Sequence, residues 1–68
     1  MKLQYYPETD SVYIELKMVP GVEAREVIEG LLVDLDANGH VVGFDIDHAS
    51  CKLDLSKIEL ALTPAIAR

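Results

Sequence analysis

The dipeptide Asn38-Gly39 constrains this chain more than any other feature of its sequence. Asn-Gly is the pair most typical of a two-residue type I′ turn, and it lies between two alternating runs, LLVDLDA and HVVGFDI. Counting outward from the turn puts every apolar residue of the opposite pairs on one side, and a shift of one residue would bring Phe44 and Asp34 to the same side, which burial forbids. The pattern therefore predicts a β-hairpin. Its opposite pairs are Ala37–His40, Leu35–Val42, Val33–Phe44 and Leu31–Ile46.

The same residues have a second interpretation, as a calcium-binding loop. Asp34-x-Asp36-x-Asn38-Gly39, with Asp45 in the twelfth position, follows the spacing of an EF-hand. An EF-hand requires amphipathic helices on both sides, whereas the flanking runs carry β-branched residues with a period of two. The residue in the twelfth position is also shorter than the glutamate that normally binds calcium with both oxygens. The sequence therefore favours the hairpin.

In this hairpin the polar face carries four carboxylates, those of Asp34, Asp36, Asp45 and Asp47. Such a group could gather a hard cation loosely. It is more typical of a solvated surface, whose charge keeps one sheet from stacking on another. We therefore predict no metal-binding residues, and weak cation binding by this face stays open as an alternative.

A second hairpin is predicted at the start of the chain. The segment PETD (residues 7–10) supplies turn residues between two alternating runs. This register sets Lys2 opposite Glu15, a favourable cross-strand pair. Tyr6 and Tyr13 then point away from the apolar side and are candidates for a contact patch. The apolar side consists of Leu3, Tyr5, Val12, Ile14 and Leu16.

The remaining segments are less regular. Val22 to Ile28 is predicted to be an edge strand, because a glutamate interrupts its apolar alternation and an edge tolerates that. The motif Ser56-x-x-Glu59 looks like a helix capping box, although the residues around it alternate like a strand, so residues 53–63 stay open between the two. We expect a helical turn near Ala49 to Leu55 and a last strand over Lys57 to Leu62.

The length of the chain limits how it can be stabilised. With 68 residues it forms a single small domain (1–68) that buries only about 60% of its unfolded surface. Cys51 is its only cysteine, which excludes an internal disulfide, and His40 and His48 add too few ligands for a structural zinc site. Half of the residues are hydrophobic. We therefore expect self-association into a homodimer or a higher even homo-oligomer.

The charge balance excludes one class of partner and favours another. Twelve acidic and six scattered basic residues give a net charge of −6, so the surface would repel nucleic acid. A basic protein is the partner that such a charge would attract. The first residues, MKLQYYPETD, lack the apolar segment of a signal peptide, and no run is long enough to span a membrane. The expected location is cytoplasmic, with no membrane association.

Residues that could carry catalysis are sparse. His48 and Cys51 are three positions apart and would share a helical face, but nothing marks a third group that would orient them. A lone cysteine is more often a small buried hydrophobe. The glycines stand singly, so no phosphate-binding loop is present. We therefore predict that the chain is not an enzyme, with no catalytic residues, no cofactor-binding residues and no cofactor.

The segments YYPETDSVYIEL and AREVIEGLLVDLDANGHVVGFDIDHAS resemble the domain-of-unknown-function 2283 family of small prokaryotic proteins. The shared features are a Pro-Glu-x-Asp start, a Tyr-Ile-x-Leu strand, a Glu-Gly-x-x-Val-Asp strand, and a Val-Gly-Phe-Asp-Ile strand followed by Ala-Ser. Tyr6 stands where the family pattern usually has aspartate. The resemblance covers about residues 1 to 55 and implies no established activity. Some members sit beside small toxin-like proteins, which implies an antitoxin-like or other partner-binding role.

Together these patterns predict a mainly β fold, or alternatively a small α+β fold. The expected architecture is an antiparallel β-meander of about five strands with a short helical segment near the C-terminus. The expected function is that of a small acidic, non-catalytic protein-interaction module, of which an antitoxin-like role is one form. The alternative is a small ligand- or cation-binding domain that uses the acidic sheet face.

Overall fold

The computed structural model describes residues 1–59. All strands of this part pair antiparallel in one five-stranded sheet, and one short helix follows them. This confirms the predicted antiparallel sheet of about five strands with a helical segment near the C-terminus. The elements are β1 (Lys2–Tyr6), β2 (Ser11–Glu15), β3 (Glu23–Ile28), β4 (Leu31–Leu35), β5 (Val41–Ile46) and α1 (Ala49–Lys52).

The order of the strands differs from a simple meander. Their order in the sheet is β1-β2-β5-β4-β3, so β2 lies beside β5 and not beside β3. A long connection that returns a strand to the far side of a meander is the Greek key arrangement. Here the connection is residues 16–22, which crosses the ends of β5 and β4. The Leu16 amide donates to the Val42 carbonyl, and the Val22 amide donates to the Leu35 carbonyl, both at 2.8 Å.

The predicted meander order is wrong, because alternation specifies pairing within a hairpin but not between hairpins.

Within the first hairpin the predicted register is confirmed at every pair. Lys2 faces Glu15, Leu3 faces Ile14, and Tyr6 faces Ser11 across β1 and β2.

The turn between β4 and β5 is not the predicted type I′ turn. A type I′ turn needs a positive φ at both central residues, and of Asn38 and Gly39 only the glycine has one, at +80°. The turn is instead a three-residue loop between Asp36 and His40 with glycine in the left-handed position, a common hairpin loop. The Asp36 carboxylate favours this loop, because it accepts the amides of Asn38 and His40 at 2.9 Å each.

This loop shifts the register at one end of the hairpin. Leu35 faces Val41 rather than Val42, and a β-bulge absorbs the extra residue. The predicted pairs Val33–Phe44 and Leu31–Ile46 are confirmed. Val42 is only 1% exposed, and Leu35 is buried as well, so the predicted apolar side persists through the bulge.

Strand β3 lies at the edge of the sheet, as predicted, and all six of its residues are exposed. Arg25 faces Val33 and therefore lies on the apolar side, where it also forms an ion pair with Glu23. Glu26 faces Leu32 on the opposite side. A bulge between Glu26 and Ile28 ends the regular pairing of this strand.

The helical segment begins where it was predicted but is shorter. It starts at Ala49 and ends at Lys52, not at Leu55. The proposed capping box does not start a helix within the described residues, because Ser56 donates both its amide and its hydroxyl to Asp54 in a turn. Residues 57–59 are not in a strand, and the rest of the predicted strand to Leu62 lies outside the described residues.

The buried core is small. Among the described residues it consists of Val12, Leu35, Val42 and Ala49. Half-buried residues such as Ile14, Val33 and Phe44 surround it on the apolar side of the sheet. No helix within residues 1–59 has both the length and the apolar character needed to cross a membrane.

Candidate functional site

The side of the sheet opposite the core carries most of the strand carboxylates, and we call it the acidic face. The register brings carboxylates of four strands to this side, because β2, β5, β4 and β3 pair in that order. Lys2 is the basic strand residue on the same side, opposite Glu15. The acidic face comprises Glu15, Glu26, Asp34, Asp45 and Asp47, together with Lys2, Tyr6 and Tyr13.

A hydrogen bond spans the centre of the acidic face. The Tyr13 hydroxyl donates to Asp34 Oδ2 at 2.9 Å, from β2 across β5 to β4. Burial, and after it this hydrogen bond, raises the pKa of Tyr13 to about 12. The ring therefore lies along the sheet and holds one carboxylate in a fixed place, which makes Tyr13 a poorer projecting anchor than its sequence position predicts.

Two glycines make room for this arrangement. A Cβ atom at Gly43 would lie 2.2 Å from the Tyr13 hydroxyl oxygen and 2.9 Å from the Ile14 carbonyl oxygen. A Cβ atom at Gly21 would lie 2.2 Å from a carboxylate oxygen of Asp34. The glycine in β5 thus lets the tyrosine cross the strand, and the glycine in the 16–22 connection lets the chain pass close to the carboxylate.

The carboxylates of the acidic face repel one another. Burial, and after it the charges of Asp47 and Asp34, raises the pKa of Asp45 above its ordinary value. A carboxyl group with a raised pKa is one whose negative charge is unfavourable where it lies. A cationic group brought to this face would relieve that repulsion.

The four carboxylates named from the sequence do not act as one group. Asp34, Asp45 and Asp47 lie on the acidic face, where Asp47 also accepts the Ser11 hydroxyl at 3.4 Å. Asp36 is turned into the β4–β5 loop, and amide hydrogen bonds, first that from His40, lower its pKa. Within residues 1–59 no group of three or more His, Cys, Asp or Glu side chains is placed to hold a metal ion.

Tyr6 is the more accessible of the two tyrosines. It is 47% exposed, and its hydroxyl donates to the Gln4 side chain at 3.1 Å on the same strand. A half-exposed ring beside charged groups is the kind of residue that anchors protein contacts. Tyr6 therefore remains a candidate for a contact patch.

His48 and Cys51 lie at the start of α1, and both are exposed. The hydrogen bond between these residues joins their backbones, from the Cys51 amide to the His48 carbonyl at 3.0 Å. His48 has a left-handed backbone with φ of +54°. The geometry is that of a helix start.

One junction of side chains was missed in the sequence. Asp10 of the first turn accepts the Ser50 hydroxyl at 2.6 Å, the Ser50 amide at 3.1 Å and the Tyr5 hydroxyl at 3.0 Å. Its backbone carbonyl also accepts the Ala49 amide at 2.8 Å. The hydrogen bond from the Ser50 side chain is the largest cause of the lowered pKa of Asp10. Asp10 thus caps α1 from a distant part of the chain.

The apolar side of the sheet is only partly covered by the described residues. Leu3 is 41% exposed on β1. Residues 53–59 pass beside it, and Leu53 and Ile58 line a shallow groove with Leu3, Val12 and Ile14. Residues 53–59 therefore cover part of the apolar side of the sheet.

Part of the chain matches a family of known sequences. The sequence model of the family described as "Protein of unknown function (DUF2283)" matches residues 2–50, from the start of β1 to the second residue of α1. The match ends at Ser50, so both members of the Asp10–Ser50 junction lie within it. The chain matches no curated protein and no solved structure.

Proposed function

Because this chain belongs to the DUF2283 family, whose description assigns no activity, we propose its function from its own residues. The proposal is a non-catalytic interaction module that holds a basic cytoplasmic protein on the acidic face. An antitoxin-like role is one form of this function. The observation that carries the proposal is the segregation of charge, because four strand carboxylates, together with Asp47 just past the end of β5, share a side of the sheet with a single strand lysine.

Charge on one face supports binding more than the same charge spread over the surface would. Fields from neighbouring carboxylates add, steer a basic partner during diffusion and orient it at encounter. The raised pKa of Asp45 supports this view in part, because after burial its causes are the charges of Asp47 and Asp34, whose repulsion a cationic partner would relieve. Such a surface contributes to association rate more than to residence time.

The two tyrosines of the acidic face, Tyr6 and Tyr13, would contribute to binding in different ways. Tyr13 fixes the Asp34 carboxylate through its hydroxyl, which keeps a charge in place before a partner arrives. Tyr6 is exposed at the β1 end of the same face and can pack against the aliphatic part of a partner's Lys or Arg side chain. The module would therefore combine a preset charge with an aromatic contact.

The test compares charge reversal on the face with the same reversal elsewhere. Glu15→Lys with Asp45→Lys changes the acidic face, whereas Glu8→Lys with Glu29→Lys changes two exposed turns. Each substitution adds two charge units, so both pairs move the net charge from −6 to −2. The native protein is expected to retain a basic protein from native lysate at low salt, and only the face variant should lose it.

The kinetics of the purified complex sharpen this test. Association should slow as salt shortens the Debye length to about 8 Å, and the face variant should slow association far more than it speeds dissociation. If both pairs weaken retention equally, net charge alone explains binding and the acidic face is not the site. If a metabolite or a cation co-purifies instead of a protein, the ligand-binding alternative takes its place. Glu15→Gln with Asp45→Asn serves as the milder variant if the reversal unfolds the sheet.

A further inference from the structure

The exposed edge strand β3 has a self-complementary charge pattern. Read from Glu23 to Glu26, its charges are negative, neutral, positive and negative. The strand is exposed along its whole length, and its outer edge has no strand partner within residues 1–59. We propose that two copies of this chain pair antiparallel through β3, with Ala24 of each copy opposite Ala24 of the other. The proposal is independent of the basic partner.

The backbone amide and carbonyl of Ala24 point toward the free edge of the sheet, as this pairing requires. The Leu35 carbonyl accepts the Val22 amide, so the backbone groups of Leu35 are directed toward β3. Backbone groups alternate along a strand, so those of Val33 have the same direction, and Arg25, which faces Val33, is directed back toward β4. Ala24, the preceding residue, therefore offers both its amide and its carbonyl at the free edge.

Pairing about Ala24 brings opposite charges together. A two-fold axis normal to the sheet joins like faces of the two copies, so directly opposed residues share a side. Glu23 of each copy then lies opposite Arg25 of the other copy, as a closely spaced, non-hydrogen-bonded pair. These two side chains already form an ion pair within one chain, which shows that both reach the same side of the strand.

The charges also exclude the neighbouring registers. A two-fold axis at Glu23, at Arg25 or at Glu26 would set each of these residues against its own copy, with like charges in direct opposition. The bulge between Glu26 and Ile28 ends the regular edge just beyond this segment. The charges of β3 therefore oppose pairing with a second copy in these registers and allow it in the register centred on Ala24.

The other free edge, β1, lacks this selectivity. Its one charged residue is Lys2, so its charges do not distinguish registers. Residues 53–59 also lie beside its apolar side, where Leu53 and Ile58 line a groove with Leu3. Strand β3 is thus the edge that is free to pair with a second copy and whose charges specify the register of that pairing.

A cross-link tests the register directly. In the background Cys51→Ser, which removes the exposed native thiol, Ala24→Cys should form a disulfide-linked dimer on mild oxidation. The opposed Cα atoms would lie about 5.5 Å apart, within the range that a disulfide spans. Glu26→Cys is the matched control, because the two copies of this position would lie about 13 Å apart along the strands.

Sedimentation equilibrium tests the charges. Glu23→Arg or Arg25→Glu alone should weaken dimerisation about tenfold or more, because each sets like charges against each other twice. Combining the two changes restores opposite charges and should restore the dimer. Lys57→Glu, which makes the same charge change as Arg25→Glu away from β3, should leave dimerisation unchanged.

Three results would overturn the proposal. The first is a native protein that stays monomeric up to about 0.1 mM. The second is a dimer that cross-links equally well through positions 24 and 26. The third is a double variant that dissociates as readily as the single variants. Circular dichroism of each variant separates lost pairing from lost folding.

Discussion

The two sides of this sheet are built from alternate residues of the same strands, yet they depend on opposite physics. Phe44 and Asp45 are neighbours on β5, and they point to opposite sides. The apolar side stabilises the fold because it is removed from water. The acidic side carries charges that repel one another, and it is tolerated because water still reaches it. Adding a charge to the apolar side is therefore expected to lower the stability of the fold, whereas removing a charge from the acidic side is expected to raise it.

The largest effect is expected when a charge enters the apolar side. Phe44→Asp removes a half-buried ring and places a carboxylate among Ile14 and Val33, which face it from both neighbouring strands. We expect a loss of roughly 3 kcal/mol or more, enough to unfold a domain of this size. Circular dichroism with urea titration measures it. Phe44→Leu, the matched apolar change, should cost less than about 1.5 kcal/mol. Equal losses would show that ring size, not polarity, decides.

A smaller effect is expected where the acidic side needs space. Gly43→Ala should cost about 1–2 kcal/mol, although alanine normally suits a strand better than glycine, because its Cβ meets the Tyr13 hydroxyl. The same change in a Tyr13→Ser background should cost less, since only the Ile14 carbonyl oxygen remains close. Urea unfolding of the four proteins gives the coupling free energy. A coupling of zero would mean that the ring does not cross β5 in solution.

The hydrogen bond on the acidic side should show itself at high pH. The pKa of Tyr13 is raised to about 12, whereas an unfolded tyrosine titrates near 10. Between these values the unfolded chain has lost a proton that the folded chain still holds, so stability falls as pH rises. Tyr13→Phe should lose about 1 kcal/mol at neutral pH and should show a shallower decline above pH 10. Parallel pH profiles for the two proteins would contradict the assignment.

The smallest effect should have the opposite sign. Asp45→Asn should stabilise the protein by less than about 1 kcal/mol at neutral pH, because it removes a charge that burial disfavours first and that Asp47 and Asp34 also repel. The raised pKa makes the native Asp45 favourable when protonated, so the advantage of the variant should shrink as pH falls through the titration of that carboxyl. Thermal melts at pH 3 and pH 7 measure the difference. A destabilised Asp45→Asn at pH 7 would show that the carboxylate has an attractive partner.

The sequence predicts those features that depend on alternation. The register of the first hairpin and the pairs Val33–Phe44 and Leu31–Ile46 follow from the period of two and from burial on one side. The edge position of β3 follows from its interrupted pattern. The division into an apolar side and an acidic side follows from the same alternation, and so does the candidate site.

Other features depend on contacts between distant parts of the chain. The sequence around Asp10 predicts a turn, and nothing near it indicates that its side chain binds Ser50. The turn at Asn38-Gly39 was assigned from the dipeptide alone, whereas the Asp36 carboxylate decides the loop. Gly43 could have been noticed as a glycine inside a strand, the usual sign of a bulge or of a close approach. In this case it marks both.

The position of β2 beside β5 has a consequence for how the chain folds. Val12 pairs with Ile46, so the first hairpin cannot join the sheet until nearly all of the matched region is available. A two-stranded hairpin is marginal in water by itself. Pairings between distant segments slow folding, because the entropy of closing the intervening loop is lost before the contacts form. During synthesis β1 and β2 are therefore expected to stay unpaired with the rest of the sheet, with their apolar residues accessible, until β5 has left the ribosome.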